Sequence, residues 1–220
     1  MKIDVWSDVA CPWCYIGKRN LEKALEMFRD REDAPVVEVE YHSFELSPDT
    51  PVEFEGSEVD FLMAHRGVTR EQAQAMIDRV TRIAADAGLA YDYDSLQHTN
   101  TLLAHQLLHF AKARGLQREM KERLLSAYFV EGRHIGRIEE LADLAAEVGL
   151  DREEVIRSLE SGEYLPDVMA DKRQAMAYGI HGVPFFVFEH KYAVSGAQPP
   201  EVFLEVLEQV AAEFDKTGAG

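Results

Sequence analysis

Two cysteines, Cys11 and Cys14, are the residues whose type and spacing point most directly to chemistry. They are the only cysteines among 220 residues. A thiolate is the nucleophile of thiol–disulfide exchange, and a second thiol three positions along the chain is close enough to close a small ring and release the substrate. The spacing therefore predicts a redox pair.

The residues around the pair predict its electrostatic environment. A short apolar run precedes it, and a helical pattern follows it. If that helix begins at Cys11, the sulfur faces unpaired backbone N–H groups and the positive end of the helix dipole. We therefore expect the pKa of Cys11 to lie below the free-cysteine value of about 8.5. Pro12 fits this arrangement because proline is well tolerated in the first turn of a helix.

Two other interpretations of the cysteines remain open at this stage. A structural zinc site needs four ligands, and the sequence has no second CxxC to complete one with Cys11 and Cys14. Alternatively, both thiols are small, inert core residues, because free cysteine is often buried.

Composition limits the classes of partner. Forty acidic residues against 23 basic ones give a formal net charge of −17, which disfavours binding to nucleic acid or to an anionic membrane surface. No apolar run is long enough to span a membrane. Met1 leads straight into a predicted strand without a leader pattern, so we expect a cytoplasmic protein. In that compartment a cysteine pair is more often catalytic than structural.

The chain begins with a strand–helix–strand pattern. Residues 2–6 and 36–41 read as strands and residues 12–30 as the helix between them. A right-handed crossover makes such strands parallel. The cysteines then lie beyond the C-terminal end of the first strand, where open α/β sheets usually bind ligands.

A proline-rich boundary at residues 47–51 separates this unit from a helical region that extends to about residue 162. Five amphipathic patterns ending at glycines predict five helices there. The first of the five starts with a capping box, Thr69 with Gln72. A further helix is predicted over residues 163–178.

The strand signal then returns. Residues 183–188 and 191–196 predict an antiparallel hairpin, with Glu189–His190 as its two-residue turn, and a final helix begins near Pro199–Pro200. Pro184 opens a strand that should be central, where a proline cannot donate to the ladder. One interpretation is an ordinary strand-start proline. The other is a cis Val183–Pro184 bond that turns the Val183 backbone toward an extended substrate beside Cys11.

These features together resemble the DsbA-like branch of the thioredoxin superfamily, and within it the FrnE subgroup. The resemblance covers nearly the whole chain. It is carried by Cys11-Pro12-Trp13-Cys14, by Ser43 to Pro48, by Asn100-Thr101 with Ala104-His105, by Ala127 to Phe129 with Glu131-Gly132, and by Gly182 to Phe186.

The resemblance implies an α/β thioredoxin fold of the form βαβ…ββα with a large all-helical insertion. The thioredoxin-like domain would comprise residues 1–50 and 163–220, and the inserted helical domain residues 51–162. The implied activity is that of a disulfide oxidoreductase or isomerase with Cys11 as the attacking thiolate and Cys14 as the resolving thiol. The residues implied to bind substrate are Pro12, Trp13, Val183, Pro184, Asn100 and His105.

The same resemblance implies no bound cofactor and no metal, with glutathione as a possible redox partner. The substrate would be a disulfide-containing protein or a thiol, and the chain would be a monomer or a homodimer. On sequence alone, Asn100 and Thr101 read equally well as the capping residues of a helix.

Two other classes of function stay open. The architecture is also similar to kappa-class glutathione transferases and hydroxychromene-carboxylate isomerases, in which a serine takes the place of the first cysteine. Cys11 favours dithiol chemistry over that alternative. The third class, a non-enzymatic binding module, leaves the paired thiols without a role.

Overall fold

The computed structural model describes residues 1–31 and 34–218, with side chains described as far as residue 213. In chain order the elements are β1 (Lys2–Ser7), α1 (Pro12–Arg29), β2 (Glu38–Ser43), α2 (Glu58–Arg66), α3 (Arg70–Asp86), α4 (Leu102–Lys112), α5 (Gln117–Phe129), α6 (Ile138–Glu147), α7 (Arg152–Ser161), α8 (Leu165–Ala177), β3 (Phe185–Phe188), β4 (Tyr192–Ser195) and α9 (Pro200–Gly218). Within these ranges no helix has both the length and the apolar composition needed to cross a membrane.

The four strands form one sheet in the order β2–β1–β3–β4. Strands β1 and β2 pair in parallel, as expected for two strands joined through α1, and β3 pairs antiparallel with both β1 and β4. Glu189 and His190 have positive φ angles of 49° and 53°, which a two-residue hairpin turn requires. The predicted α/β thioredoxin fold with a helical insertion is confirmed.

Helix α1 contributes to two hydrophobic cores. Its first turns place Tyr15 and Ile16 in the core of the inserted helices, where they pack with residues of α3 to α7. Its later turns place Leu21, Leu25 and Phe28 in the core beneath the sheet, with α9. The start of α1 therefore lies where the two cores meet.

The starts of β2 and β3 differ from the sequence prediction. β2 begins at Glu38 rather than residue 36, because its register with β1 starts at the Lys2–Glu38 pair, and the carbonyl of Val36 accepts a hydrogen bond from the N-terminal amine instead. β3 begins at Phe185 rather than at residue 183, because Pro184 has no N–H to donate. The predicted domain limits stay a prediction, and residues 32–33 and 219–220 of the thioredoxin-like domain lie outside the described residues.

Helix α2 was not predicted, which brings the helices between residues 51 and 162 to six within the described chain. None of its residues is buried, so it has no apolar face for a periodicity search to find. A signal was present in its capping box, in which Ser57 and Asp60 exchange hydrogen bonds.

A buried polar network ties the sheet to two helices. His42 on β2 contacts Asp171 of α8 through Nδ1 and Asp4 of β1 through Nε2, both at 2.8 Å, and its ring stacks on Trp6. The other Asp171 oxygen accepts from the Ser43 backbone at 2.7 Å and lies 3.0 Å from His109 Nε2 of α4. The network therefore joins β1, β2, α4 and α8.

The protein should lose stability as pH rises from about 6.5 to 9. Burial lowers the pKa of His42, but hydrogen bonds to Asp171 and Asp4 outweigh burial and raise it to about 9 from 6.5. The stabilisation is therefore fully present below 6.5 and is lost as pH passes through 9, by about 3 kcal/mol. Urea unfolding at pH 6 and pH 9.5 of the wild type and His42→Gln measures this loss. A drop of equal size in both proteins would contradict it.

Candidate active site

The two cysteines lie at the N-terminus of α1. Cys11 is the N-cap residue, Pro12 occupies the first helical position, and the Cys14 N–H bonds to the Cys11 carbonyl at 3.0 Å. Both thiols are free and only 2% exposed, and their sulfurs are in hydrogen-bond contact. The helix start predicted from Pro12 thus brings the pair together.

The segment before β3 lies against the first cysteine. The Val183–Pro184 peptide bond is cis, as one of the two sequence interpretations expected, and the Cys11 thiol donates to the Val183 carbonyl at 3.7 Å. Gly17 on α1 permits this approach, since a Cβ there would lie 2.9 Å from Pro184 Cγ. The thiol and the cis-proline loop therefore border the same space.

A cavity of about 290 Å³ opens over the start of α1. Cys11, Pro12 and Trp13 form one wall of it, and Phe61 of α2 and Val80 of α3 lie on the wall formed by the insertion. Trp13 is 38% exposed. Cys14 is not among the lining residues, so Cys11 is the thiol that a molecule in the cavity meets.

The prediction that Cys11 has a lowered pKa is wrong for this pair. The hydrogen bond with Cys14, burial, and the negative charges of Cys14 and Asp8 raise the pKa of Cys11 well above its ordinary value, and the Cys14 N–H opposes them only in part. The pKa of Cys14 is lowered instead. Burial opposes its ionisation, but the hydrogen bond with Cys11, the charge of Lys121 and hydrogen bonds from Ser7 and Asp8 outweigh burial. Cys14, the inner thiol, is therefore the first of the pair to ionise.

Lys121 is a functional candidate that sequence reasoning missed. This residue of α5 is 0% exposed, its Nζ finds no hydrogen-bond partner among the described residues, and it lies 5.5 Å from the centroid of the Tyr41 ring. Burial lowers its pKa to about 8, although the charges of Cys14, Asp8 and Cys11 act against this. A signal existed in the sequence, because a lysine three residues before Leu124 lies on the apolar face of its helix.

Asp8 is the second missed residue. It is buried, and it accepts hydrogen bonds from the Val9 N–H at 2.7 Å, the Leu46 N–H at 2.8 Å and His105 Nε2 at 3.1 Å. Burial opposes its ionisation, but the bond and charge of His105, the Leu46 bond and the charge of Lys121 lower its pKa. The charges of a buried carboxylate and a buried ammonium thus both act on the cysteine pair.

The structure places the remaining predicted residues behind the cavity wall. His105 is fully buried and reaches the cavity only through Asp8, which lines it. Asn100 donates to the carbonyls of Pro48 and Thr50 at 2.9 and 3.0 Å and accepts from the Leu102 N–H. It thereby fastens the loop after β2 to the start of α4.

One group of potential metal ligands occurs among the described residues, namely Asp4, Glu40 and His42. The Lys2 ammonium lies 2.9 Å from carboxylate oxygens of both Asp4 and Glu40, so this group is an ion-pair cluster whose cation is a side chain. Neither cysteine belongs to it.

Comparison with known proteins agrees with this geometry. The family model of the DSBA-like thioredoxin domain matches residues 2–208. The chain belongs to the DsbA-like thioredoxin domain family. Solved structures with this fold include DsbA-like oxidoreductases and a 2-hydroxychromene-2-carboxylate isomerase.

Among its relatives is YwbO of Bacillus subtilis, an uncharacterised protein that is 31% identical over 208 residues, covering 91% of this chain and 92% of YwbO. A probable DsbA oxidoreductase from Streptomyces coelicolor, SCO1869, is 42% identical, with a TM-score of 0.88 over 97% of this chain and 91% of that one. The cytosolic disulfide reductase DsbM from Pseudomonas aeruginosa with GSH has a TM-score of 0.67 over 96% of this chain and all of its own, but only 20% identity, so it supports the fold alone.

Proposed function

We propose that this DsbA-like protein is a thiol–disulfide oxidoreductase or isomerase that acts on protein or small-molecule disulfides through Cys11 and Cys14. The observation that carries the proposal is the arrangement of the pair, in which Cys11 borders both the cavity and the Val183 carbonyl while Cys14 lies behind it. An outer nucleophile and an inner resolving thiol are what two-step exchange requires.

In the first step the Cys11 sulfur attacks one sulfur of a substrate disulfide. A Cys11–substrate bond forms, the substrate S–S bond breaks, and the departing sulfur leaves as a thiolate. Since Cys14 ionises first, the Cys11 proton must then pass to Cys14 along the hydrogen bond between the sulfurs. Pro12, Trp13 and the Val183–Pro184 segment surround the sulfur and would hold the substrate beside it.

In the second step Cys14 gives its proton to the thiolate released in the first step and attacks the Cys11 sulfur. The Cys11–Cys14 bond forms and the second substrate sulfur leaves, so the substrate is reduced by two electrons and the protein is oxidised by two. The Lys121 ammonium favours the Cys14 thiolate that this step needs, and Asp8, held in place by His105, balances the charge of Lys121. His105 therefore acts as a positioning residue, and Asn100 does so through the loop that it fastens.

Glutathione is proposed as the redox partner, and the bound GSH of the DsbM structure supports this choice at the level of fold. The proposed location is the cytoplasm, which is also the location named for DsbM. Oligomeric state stays a prediction of monomer or homodimer.

The glutathione-dependent transferase or isomerase class remains the alternative. Cysteine at both position 11 and position 14 favours dithiol exchange over that class.

The redox equilibrium of the pair tests the proposal. Protein incubated over a range of GSH to GSSG ratios, then acid-quenched, alkylated and weighed by mass spectrometry, should pass in one two-electron step from the dithiol to the Cys11–Cys14 disulfide. The same protein should accelerate the reduction of insulin by dithiothreitol. A pair that never forms the internal disulfide, while GSH binds tightly, would sink the proposal in favour of the glutathione-dependent alternative.

A further inference from the structure

The acidic residues that line the cavity already have partners within the protein. Two acids, Asp8 and Glu58, line it, and both are already paired within the protein. Asp8 accepts from His105 and from two backbone N–H groups, and Glu58 accepts from His98 Nδ1 at 2.9 Å. Neither carboxylate is therefore left unpaired in the cavity.

The two arginines that line the cavity differ from these acids. Arg66 lies in the last turn of α2 and Arg79 on α3, and both side chains are exposed. Neither forms an ion pair or side-chain hydrogen bond among the described residues, whereas Arg70, between them in sequence, pairs with Asp60. In a chain of net charge −17, the cavity thus carries two unpaired cations at its mouth.

We propose that this cavity binds a small disulfide or thiol that carries carboxylates, with Arg66 and Arg79 as the residues that determine this specificity. The proposal rests on the proposed function, because the ligand's sulfur is presented to Cys11 in the opposite wall. Phe61, Leu62 and Met76 supply apolar contacts between the sulfur end and the charged end.

Size and long-range charge both favour a small ligand over an acidic protein. The volume of about 290 Å³ lies at the lower end of the range for small-molecule pockets. The overall charge of −17 repels an acidic macromolecule as a whole. A small anion inside the cavity lies within a Debye length of the two arginines, so its attraction to them outweighs its repulsion by the more distant acidic residues.

The test uses three small disulfides with different charges: oxidised glutathione (anionic), bis(2-hydroxyethyl) disulfide (neutral) and cystamine (cationic). Each is mixed with the reduced protein in a single turnover, and the second-order rate constant for formation of the Cys11–Cys14 disulfide is measured by acid quench and mass spectrometry. Each disulfide accepts two electrons from the dithiol and leaves as two thiols, so no further reductant is needed.

In the double variant Arg66→Glu/Arg79→Glu, the ratio of the anionic to the neutral rate constant should fall by roughly tenfold or more at low salt, and the ratio of cationic to neutral should rise. Arg66→Gln/Arg79→Gln should give an intermediate fall. Arg82→Glu on the same helix, exposed and outside the cavity, is the matched control. Thermal unfolding of all variants checks that they fold.

Unchanged ratios in folded variants would overturn the inference while leaving the proposed function intact. A fourth substrate, a folded protein whose disulfide is flanked by acidic residues, is measured in parallel. If the arginine variants lose rate only with this protein, the cavity binds a protein segment and the inference is overturned too. A wild-type protein that reacts with none of the three disulfides but still accelerates insulin reduction would also overturn the inference alone. A wild-type protein that does neither would end the proposed function as well.

Discussion

Cys11→Ser is expected to abolish disulfide exchange, whereas Cys14→Ser is expected to trap the substrate. Cys11 is the thiol that reaches the cavity, so its removal should lower the rate of insulin reduction by at least about 10³-fold, the scale on which loss of a nucleophile acts. Without Cys14 the mixed disulfide with Cys11 has no internal thiol to resolve it. Non-reducing electrophoresis and intact-protein mass spectrometry would then detect the adduct.

The Cys14→Ser protein gives a second readout of the same pair. The Cys14 hydrogen bond and charge help raise the pKa of Cys11, so this substitution should lower that pKa relative to the wild type. Thiolate absorbance near 240 nm against pH measures the change. Full insulin reductase activity in Cys11→Ser, or a trapped substrate adduct on Cys14 in that variant, would contradict the assigned roles.

Lys121→Met is expected to slow the second step more than the first. Methionine keeps most of the volume of the buried side chain but removes the charge that lowers the pKa of Cys14. Loss of a nearby opposite charge should raise that pKa and slow resolution roughly tenfold at pH 7. Single-turnover acid quench separates the two steps, since the mixed disulfide should accumulate transiently.

A purely structural role for Lys121 predicts that its removal destabilises the protein. We expect otherwise. Because the amine is buried without a hydrogen-bond partner in the described chain, Lys121→Met should leave the free energy of unfolding unchanged or raise it by about 1 kcal/mol. A shift of the pH–rate profile to higher pH in a protein of undiminished stability would identify an electrostatic role. Lys23→Met, on the exposed face of α1, is the control. An unmoved pH profile in Lys121→Met would contradict our assignment.

Local signals in the sequence predicted most of the fold. Alternating apolar residues predicted the strands, capping residues and glycines predicted the helix ends, and Pro184 in a strand pattern pointed to a cis bond as one of two interpretations. Each of these features is determined within a few residues of chain. Helix α2 was not predicted, because none of its residues is buried and no apolar periodicity distinguishes it.

The electrostatics of the site could not be predicted in the same way. The position of Cys11 at a helix start suggested a lowered pKa, but the hydrogen bond with Cys14 and burial raise it instead. The ammonium that helps lower the pKa of Cys14 comes from Lys121, which is 110 positions further along the chain than Cys11. Only the packing of α5 against the start of α1 brings Lys121 to the sulfurs. Local sequence indicates the reactive groups, whereas burial and long-range contacts depend on the whole fold.

The division of α1 between two cores has a consequence for the order in which heat would damage this protein. The reactive sulfurs lie where the two cores meet, so a small displacement of one core from the other would separate Lys121 from Cys14 before the helices unfold. On heating, disulfide-exchange activity should therefore fall at a lower temperature than the helical circular dichroism signal.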